Sequence, residues 1–313
     1  MDESNGLAKL AVSEFTAIRN LANFWTRLEL TMNIQAQAHK AELLRRLHAG
    51  PRILVFPNAW DVASARIVEE LGFPAIATTS AGVAAVLGYP DGQRISRDEM
   101  LDVAGRIARA VRVPVTADLE AGYGDSIPDM TATVQAMVAA GVVGLNLEDI
   151  TGSDESSHVD LPLQVEKIRA IRKAGEALGV PVVLNARTDI YLMPIGPEET
   201  RFERTVQRLR AYREAGADCL FVPGLKDADT IAKLVRAVNG PLNILLSAGS
   251  PTLRELEKMG VARASAGSGV MRATLGLTRR IAKEMMEAGT YTSMLDGAVT
   301  YTEVNEMLAR EKS

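Results

Sequence analysis

Cysteine, aromatic residues and surplus positive charge are all scarce in this 313-residue chain, and each scarcity excludes something. The single cysteine, Cys219, can close no internal disulfide and build no thiolate cage, so a reducing, cytoplasmic setting is expected. Aromatics are 4% of the residues, which disfavours an aromatic-rich all-β core. Lys and Arg number 35 against 39 Asp and Glu, a formal net charge of −4, so no basic footprint for nucleic acid exists. No apolar run approaches the roughly 18 to 20 residues of a membrane helix. The opening MDESNGL has no basic region leading into an apolar one, so neither a membrane partner nor a secretory signal is expected.

What the chain does contain is a beat of short aliphatic runs. They are ILVFPNA (53–59), AIATTS (75–80), VPVTADLE (113–120), VVGLNLED (142–149), VPVVLNART (180–188), CLFVPG (219–224), PLNILL (241–246) and VARASAG (261–267). These eight runs do not alternate polar with apolar, so both faces are expected to be buried, as in a parallel sheet covered by helices. The segments between them have helical period, with Met130, Val134, Met137 and Val138 on one stripe and Phe202, Val206, Leu209 and Tyr212 on another. Gly72, Gly141, Gly179, Gly216, Gly240 and Gly260 precede successive strands, where a left-handed residue ends a helix at least cost.

Eight βα units fit an α/β fold of the (β/α)8 TIM-barrel type, which takes about 250 residues. The first turn, PNAWD (57–61), lacks the glycines of a doubly wound dinucleotide-binding sheet. The expected division is an N-terminal helical extension over 1–52, with Phe15, Phe24 and Trp25 packing it down, and a barrel over 53–313.

In such barrels reacting groups sit at the C-terminal strand ends. Those ends carry Thr79, Ser80, Asp118, Glu120, Asn146, Glu148, Asp149, Asn185, Arg187, Asp189 and Ser247. Asp118 and Glu120 lie two apart on one expected strand, so their side chains should point the same way. With Glu148 from the next strand, three carboxylates are expected to converge. Carboxylates crowded together raise each other's pKa unless a cation joins them, and an all-oxygen set suits Mg²⁺, or Mn²⁺, rather than zinc. His158, in a polar stretch after the fourth strand, is within reach of the mouth, whereas His39 and His48 are expected to face solvent and Cys219 to be buried and inert. The loops 247–252 and 266–270 offer a rival phosphate site, or two plain turns capped by Thr252 and Ser268.

At these residues the sequence resembles the isocitrate lyase/phosphoenolpyruvate mutase superfamily, from about Pro51 to the C-terminal helices. PNAWDVASARI (57–67) resembles its opening strand and helix, and TTSAGVAAVLGYPD (78–91) its substrate loop. ADLEAGYG (117–124) resembles its metal motif, LED (147–149) the strand-four acid, and NARTD (185–189) the strand-five arginine. The resemblance implies a Mg²⁺-dependent barrel acting on small 2-oxo or 2-hydroxy carboxylates or on phosphonates. By motif, Asp118 and Glu120 match the metal-side acids, and Glu148 and Asp91 outer members of that shell. Thr79, Ser80 and Ala81 match the loop that grips the substrate carboxylate, Arg187 its cationic clamp, and Asn243 a strand-seven contact. It also implies a homodimer or homotetramer, with the segment after Thr274 exchanged between subunits.

The chemistry so implied is C–C cleavage of a small 2-oxo or 2-hydroxy dicarboxylate through an enolate whose charge the cation stabilises. Phosphonomutase or phosphonopyruvate hydrolase chemistry, and a 2-oxo acid-binding barrel without turnover, are the alternatives. The stretch 149–162 departs from both familiar branches: it has neither the cysteine of the lyases nor the lysine and asparagine of the mutases. His158, Ser156 or Ser157 is the expected proton donor there.

Overall fold

The computed structural model describes residues 33–151, 154–193 and 196–309. Its strands, in chain order, are β1 (Leu54–Phe56), β2 (Ile76–Ala77), β3 (Val115–Asp118) and β4 (Gly144–Leu147), then a two-stranded hairpin of β5 (Ile150–Thr151) and β6 (Asp154–His158). There follow β7 (Val183–Arg187), β8 (Cys219–Val222), β9 (Leu242–Leu245) and β10 (Arg263–Ser265). All but the hairpin form one eight-stranded parallel sheet in the order β1-β10-β9-β8-β7-β4-β3-β2. The ends of that order meet just beyond β1, where the Ala59 N–H donates to Ala77 O at 2.8 Å and the Thr79 N–H to Ala59 O at 3.2 Å. The sheet is a nearly closed (β/α)8 barrel, one strand for each aliphatic run.

Helices α1 (33–48), α2 (Val62–Glu70), α3 (Ser80–Leu87), α4 (Arg97–Ala110), α5 (Ile127–Ala139) and α6 (Leu161–Ala177) come first. They are followed by α7 (Arg201–Glu214), α8 (Ala228–Val238), α9 (Leu253–Met259), α10 (Gly269–Glu287), α11 (Thr292–Leu295) and α12 (Tyr301–Ala309). Strands β3, β4 and β8 are buried along their whole length, as expected where helices cover one side of the sheet and the barrel interior the other. Among the described residues no helix is long and apolar enough to cross a membrane.

Local chemistry sets the boundaries. Ser96 with Glu99, Ser126 with Asp129, and Thr252 with Glu255 form reciprocal capping boxes that start α4, α5 and α9. Ser268, expected as a cap, makes no side-chain cap bond. Before β9 the left-handed residue is Asn239 (φ 48) rather than Gly240, a substitution asparagine tolerates because its short amide bonds locally.

Helix α1 lies against the N-terminal ends of the strands. Arg45 donates to Asp218 Oδ1 at 2.8 Å and to Pro181 O at 2.8 Å, and Leu44 fills the space that the missing Cβ of Gly144 leaves. His48 is not at the surface, contrary to expectation. Its Nδ1 donates to Leu44 O at 2.8 Å, and burial, with Arg263 and Arg45 nearby, pushes its pKa down to about 3. Phe15, Phe24 and Trp25 lie outside the described residues.

Candidate active site

The C-terminal rim collects the residues singled out from sequence. Asp118, the last residue of β3, is fixed on both oxygens. Oδ2 accepts from the Ser80 N–H at 3.1 Å and Oγ at 3.0 Å, while Oδ1 accepts from Asn146 Nδ2 at 3.2 Å. Asn146 is steadied in turn by Asn185 Nδ2 at 2.7 Å. Thr79 precedes α3 as its N-cap without a side-chain cap bond, so Thr79, Ser80 and Ala81 bring the positive end of that helix to the rim.

Arg187 ends β7. Its Nε and Nη2 donate to Asp189 Oδ1 at 2.9 and 2.6 Å, its Nη1 pairs with Glu148 Oε1, and its guanidinium lies 5.7 Å from the centre of the Phe221 ring. Burial opposes its charge, but Asp189, Glu148 and Asp118 outweigh burial and hold its pKa above the ordinary value. Glu148 is also buried, and burial lifts its pKa well above the usual range despite Arg187.

Glu120 departs from the expected geometry. β3 stops at Asp118, and Glu120 has φ +51, so the two acids are not successive same-face residues of one strand. Its carboxylate is held by the Gln93 N–H at 2.5 Å and the Tyr123 hydroxyl at 3.3 Å. Burial, then Asp118, then Asp91, raise its pKa to about 7; burial and Asp118 likewise raise that of Asp91. The acids do crowd, as expected. Glu148, however, is taken up by Arg187, and among the described residues no three Asp, Glu, His or Cys side chains form a ready-made metal shell.

Two adjoining cavities open here, of about 170 and 280 Å³, and share Asp91, Arg187 and Leu192. The larger is bordered by Glu120 and Glu148; the smaller reaches Asp118, Thr79, Ser80 and Ala81. Across the smaller one stand residues not foreseen as site residues: Asn58, Phe221, Leu245 and Ser265. Asn58, next to last in the first run, could have been found by the strand-end rule that found Asp118.

Other candidates fall elsewhere. Asn243 is fully buried below the rim, accepting from Ser265 Oγ at 3.2 Å with its Nδ2 unpaired. His158 lines neither cavity; its Nε2 is 3.9 Å from Asp149 Oδ1, in a cluster where Asp149 also accepts from Tyr212 and Arg208. The side chains of Ser156 and Ser157 lie outside the described residues. Ser247 bonds to Ser250 and does not line the mouth, whereas Gly267 and Ser268 do. Cys219 is buried as expected, and burial pushes its thiol up to about 12.

Fold and rim together define a (β/α)8 barrel with crowded acids and one buried arginine at its mouth. The family described as phosphoenolpyruvate phosphomutase matches residues 44–286, and the chain belongs to this family, within the PEP mutase/isocitrate lyase superfamily. It is 41% identical to a solved Burkholderia cenocepacia J2315 protein described as a lyase/mutase, with a TM-score of 0.82 over 88% of this chain and 98% of that one. It is 30% identical to an oxaloacetate decarboxylase of Pseudomonas fluorescens over 82% of this chain and 89% of the relative. It is 29% identical to a 2-methylisocitrate lyase of Aeropyrum pernix over 85% and 86%.

Proposed function

We propose that this protein is a metal-dependent lyase or decarboxylase that breaks a C–C bond of a small 2-oxo or 2-hydroxy dicarboxylate through an enolate. The observation that carries this reading is the meeting of Asp91, Asp118 and Arg187 with the N-terminus of α3 around one cavity. The donor set fits a hard cation: the candidate ligands are all oxygens, and burial, then Asp118 and Asp91, push Glu120 toward protonation, a repulsion that a cation held between these acids would relieve. Asp118 and Glu120 would hold it, with Mg²⁺ the first choice and Mn²⁺ the second. When bound, the ion supplies positive charge where the breaking bond releases electrons.

The chain's own groups do the rest. The α3 N-terminus, with Ser80, binds one carboxylate. Arg187, planar and permanently charged, binds the other in two-point fashion. To do so it must loosen from Glu148, and Glu148, already favoured in its neutral form by burial, then holds a proton at the rim. With a 2-oxo acid the far carboxylate leaves as CO2, its bonding pair moves onto the 2-oxo oxygen, and the enolate then takes a proton at carbon. With a 2-hydroxy acid the hydroxyl first gives up its proton and becomes the carbonyl of one product, and the pair of the broken C–C bond forms the enolate of the other, which is then protonated.

Oxaloacetate, alkylmalates, isocitrates and phosphonopyruvate, each offered with Mg²⁺, form the deciding screen. Turnover of a dicarboxylate is expected, with Asp118→Ala lowering both turnover and metal affinity by about a hundredfold or more. Unchanged turnover and affinity in that variant would sink the reading. The matched family's phosphomutase description favours one rival, P–C chemistry, which release of phosphate or pyruvate from phosphonopyruvate would establish. We also read the protein as a cytoplasmic homodimer or homotetramer. Leu275, Met286, Leu295 and Tyr301, on or beside the C-terminal helices, are exposed by 56%, 80%, 62% and 86%, which suits burial against a second copy.

A further inference from the structure

The uncharged side of the mouth is as definite as the charged side. Around the barrel, β2, β3, β4 and β7 carry all the acids and the arginine, whereas β8, β9, β10 and β1 bring no charged residue to the smaller cavity. From β8 comes Phe221, from β9 Leu245, and Pro223 and Leu192 add to the apolar lining. Leu192 is brought there by Gly224: at φ +81, a Cβ on that glycine would lie 2.7 Å from the Leu192 backbone, so only glycine lets the loop after β7 rest on the loop after β8.

Of the polar side chains on this side, Asn58 and Ser265 are turned toward other protein groups, and Ser268 stands at the edge. Asn58 donates to Thr78 O at 2.8 Å and accepts from the Gly267 N–H at 2.9 Å. Ser265 Oγ donates to Asn243 Oδ1 at 3.2 Å and accepts from Arg263 Nε at 3.1 Å. Apart from Ser268, what Phe221, Leu245, Pro223 and Leu192 offer a ligand is hydrocarbon, against which a carboxylate would lose its hydration without repayment and an alkyl group would gain by leaving water.

We infer that this wall selects the substrate: the site takes a 2-oxo or 2-hydroxy dicarboxylate bearing a methyl or ethyl branch in preference to its unbranched parent, and Phe221 and Leu245 read the branch. The dicarboxylate skeleton rests on the lyase reading above; the preference for a branch rests on the wall alone.

The test uses the full-length protein with Mg²⁺ and pairs of ligands differing only in methyl groups. Turnover is compared for oxaloacetate against 3-methyloxaloacetate and for malate against 2,3-dimethylmalate. Calorimetric affinity is compared for malonate against dimethylmalonate, neither of which has a bond of the cleavable kind. The branched member is expected to win by roughly 10-fold or more, the range over which a hydrophobic pocket discriminates a methylene. Leu245→Asn should bring each ratio close to one, while Leu245→Met, which keeps the wall apolar, should preserve it; circular dichroism checks that both fold. Parent acids equal to or better than branched ones in turnover and affinity would overturn the inference, as would a ratio unmoved by Leu245→Asn. No turnover with a retained dimethylmalonate preference defeats the lyase reading and upholds the wall; turnover without any preference does the reverse.

Discussion

The half of the barrel mouth built on β2, β3, β4 and β7 and the half built on β8, β9, β10 and β1 come from the same repeated unit, yet they solve opposite problems. The first concentrates Asp91, Asp118, Glu120, Glu148 and Asp189 around Arg187, and burial pushes Asp91, Glu120, Glu148 and Asp189 toward protonation. The second brings no charged residue, among the described ones, to the smaller cavity, and Arg263 of β10 lies out of reach beneath it, 1% exposed. Parallel strands of one aliphatic composition can therefore carry an electrostatic device on one side and a shape filter on the other. Each side is set by only one or two residues at a strand end.

The largest expected effect comes from the charged half. Arg187→Met removes the one cationic side chain that lines the smaller cavity among the described residues and leaves Glu148 and Asp189 buried without that partner. Turnover of the best dicarboxylate should fall by about a thousandfold or more. A loss under tenfold would show that the two halves do not divide the work in this way.

The next effect is thermodynamic. Glu120 holds its proton to about pH 7 in the folded state, against an ordinary 4.5. The folded chain thus binds more protons than the unfolded chain between those values, so without divalent cation stability should fall as pH rises from about 4.5 to 7, by up to about 3 kcal/mol. Mg²⁺ at neutral pH should restore it, and Glu120→Gln should flatten the slope. Urea unfolding across this range, with and without Mg²⁺, measures all three.

The smallest effect probes the neutral half. Arg263 makes a bond to Ser265 and stacks 4.5 Å from the centre of the Phe56 ring, and burial pulls its pKa down to about 10. An apolar residue of similar length avoids that desolvation, so Arg263→Met should raise stability by about 1–3 kcal/mol in chemical unfolding. A fall instead would mean that the buried charge is balanced by a group bound below the cavity.

Much of this arrangement was legible in the residues. The eight runs and the strand-end rule led to Thr79, Ser80, Asp118 and Arg187, because aliphatic runs and their polar termini are local features. Phe221 and Leu245 were not legible, since at the end of an apolar run a residue facing the cavity looks like one packed in the core. Glu120 was misread because its orientation depends on a left-handed turn after β3 that the alternation rule does not anticipate. His158 was placed at the mouth by its position after the fourth strand, but the hairpin turns it toward Asp149.

The order of residues alone determined the eight strands of the barrel and which acids stand near their ends, because short-range propensity and burial pattern act within a single βα unit. Only the closed barrel decided that Glu148 pairs with Arg187, that His48 is shut beneath the strands, and that hydrocarbon faces carboxylate across the cavity. Those pairings join residues far apart in the chain, and strand stagger and loop packing, not local propensity, set the distances between them.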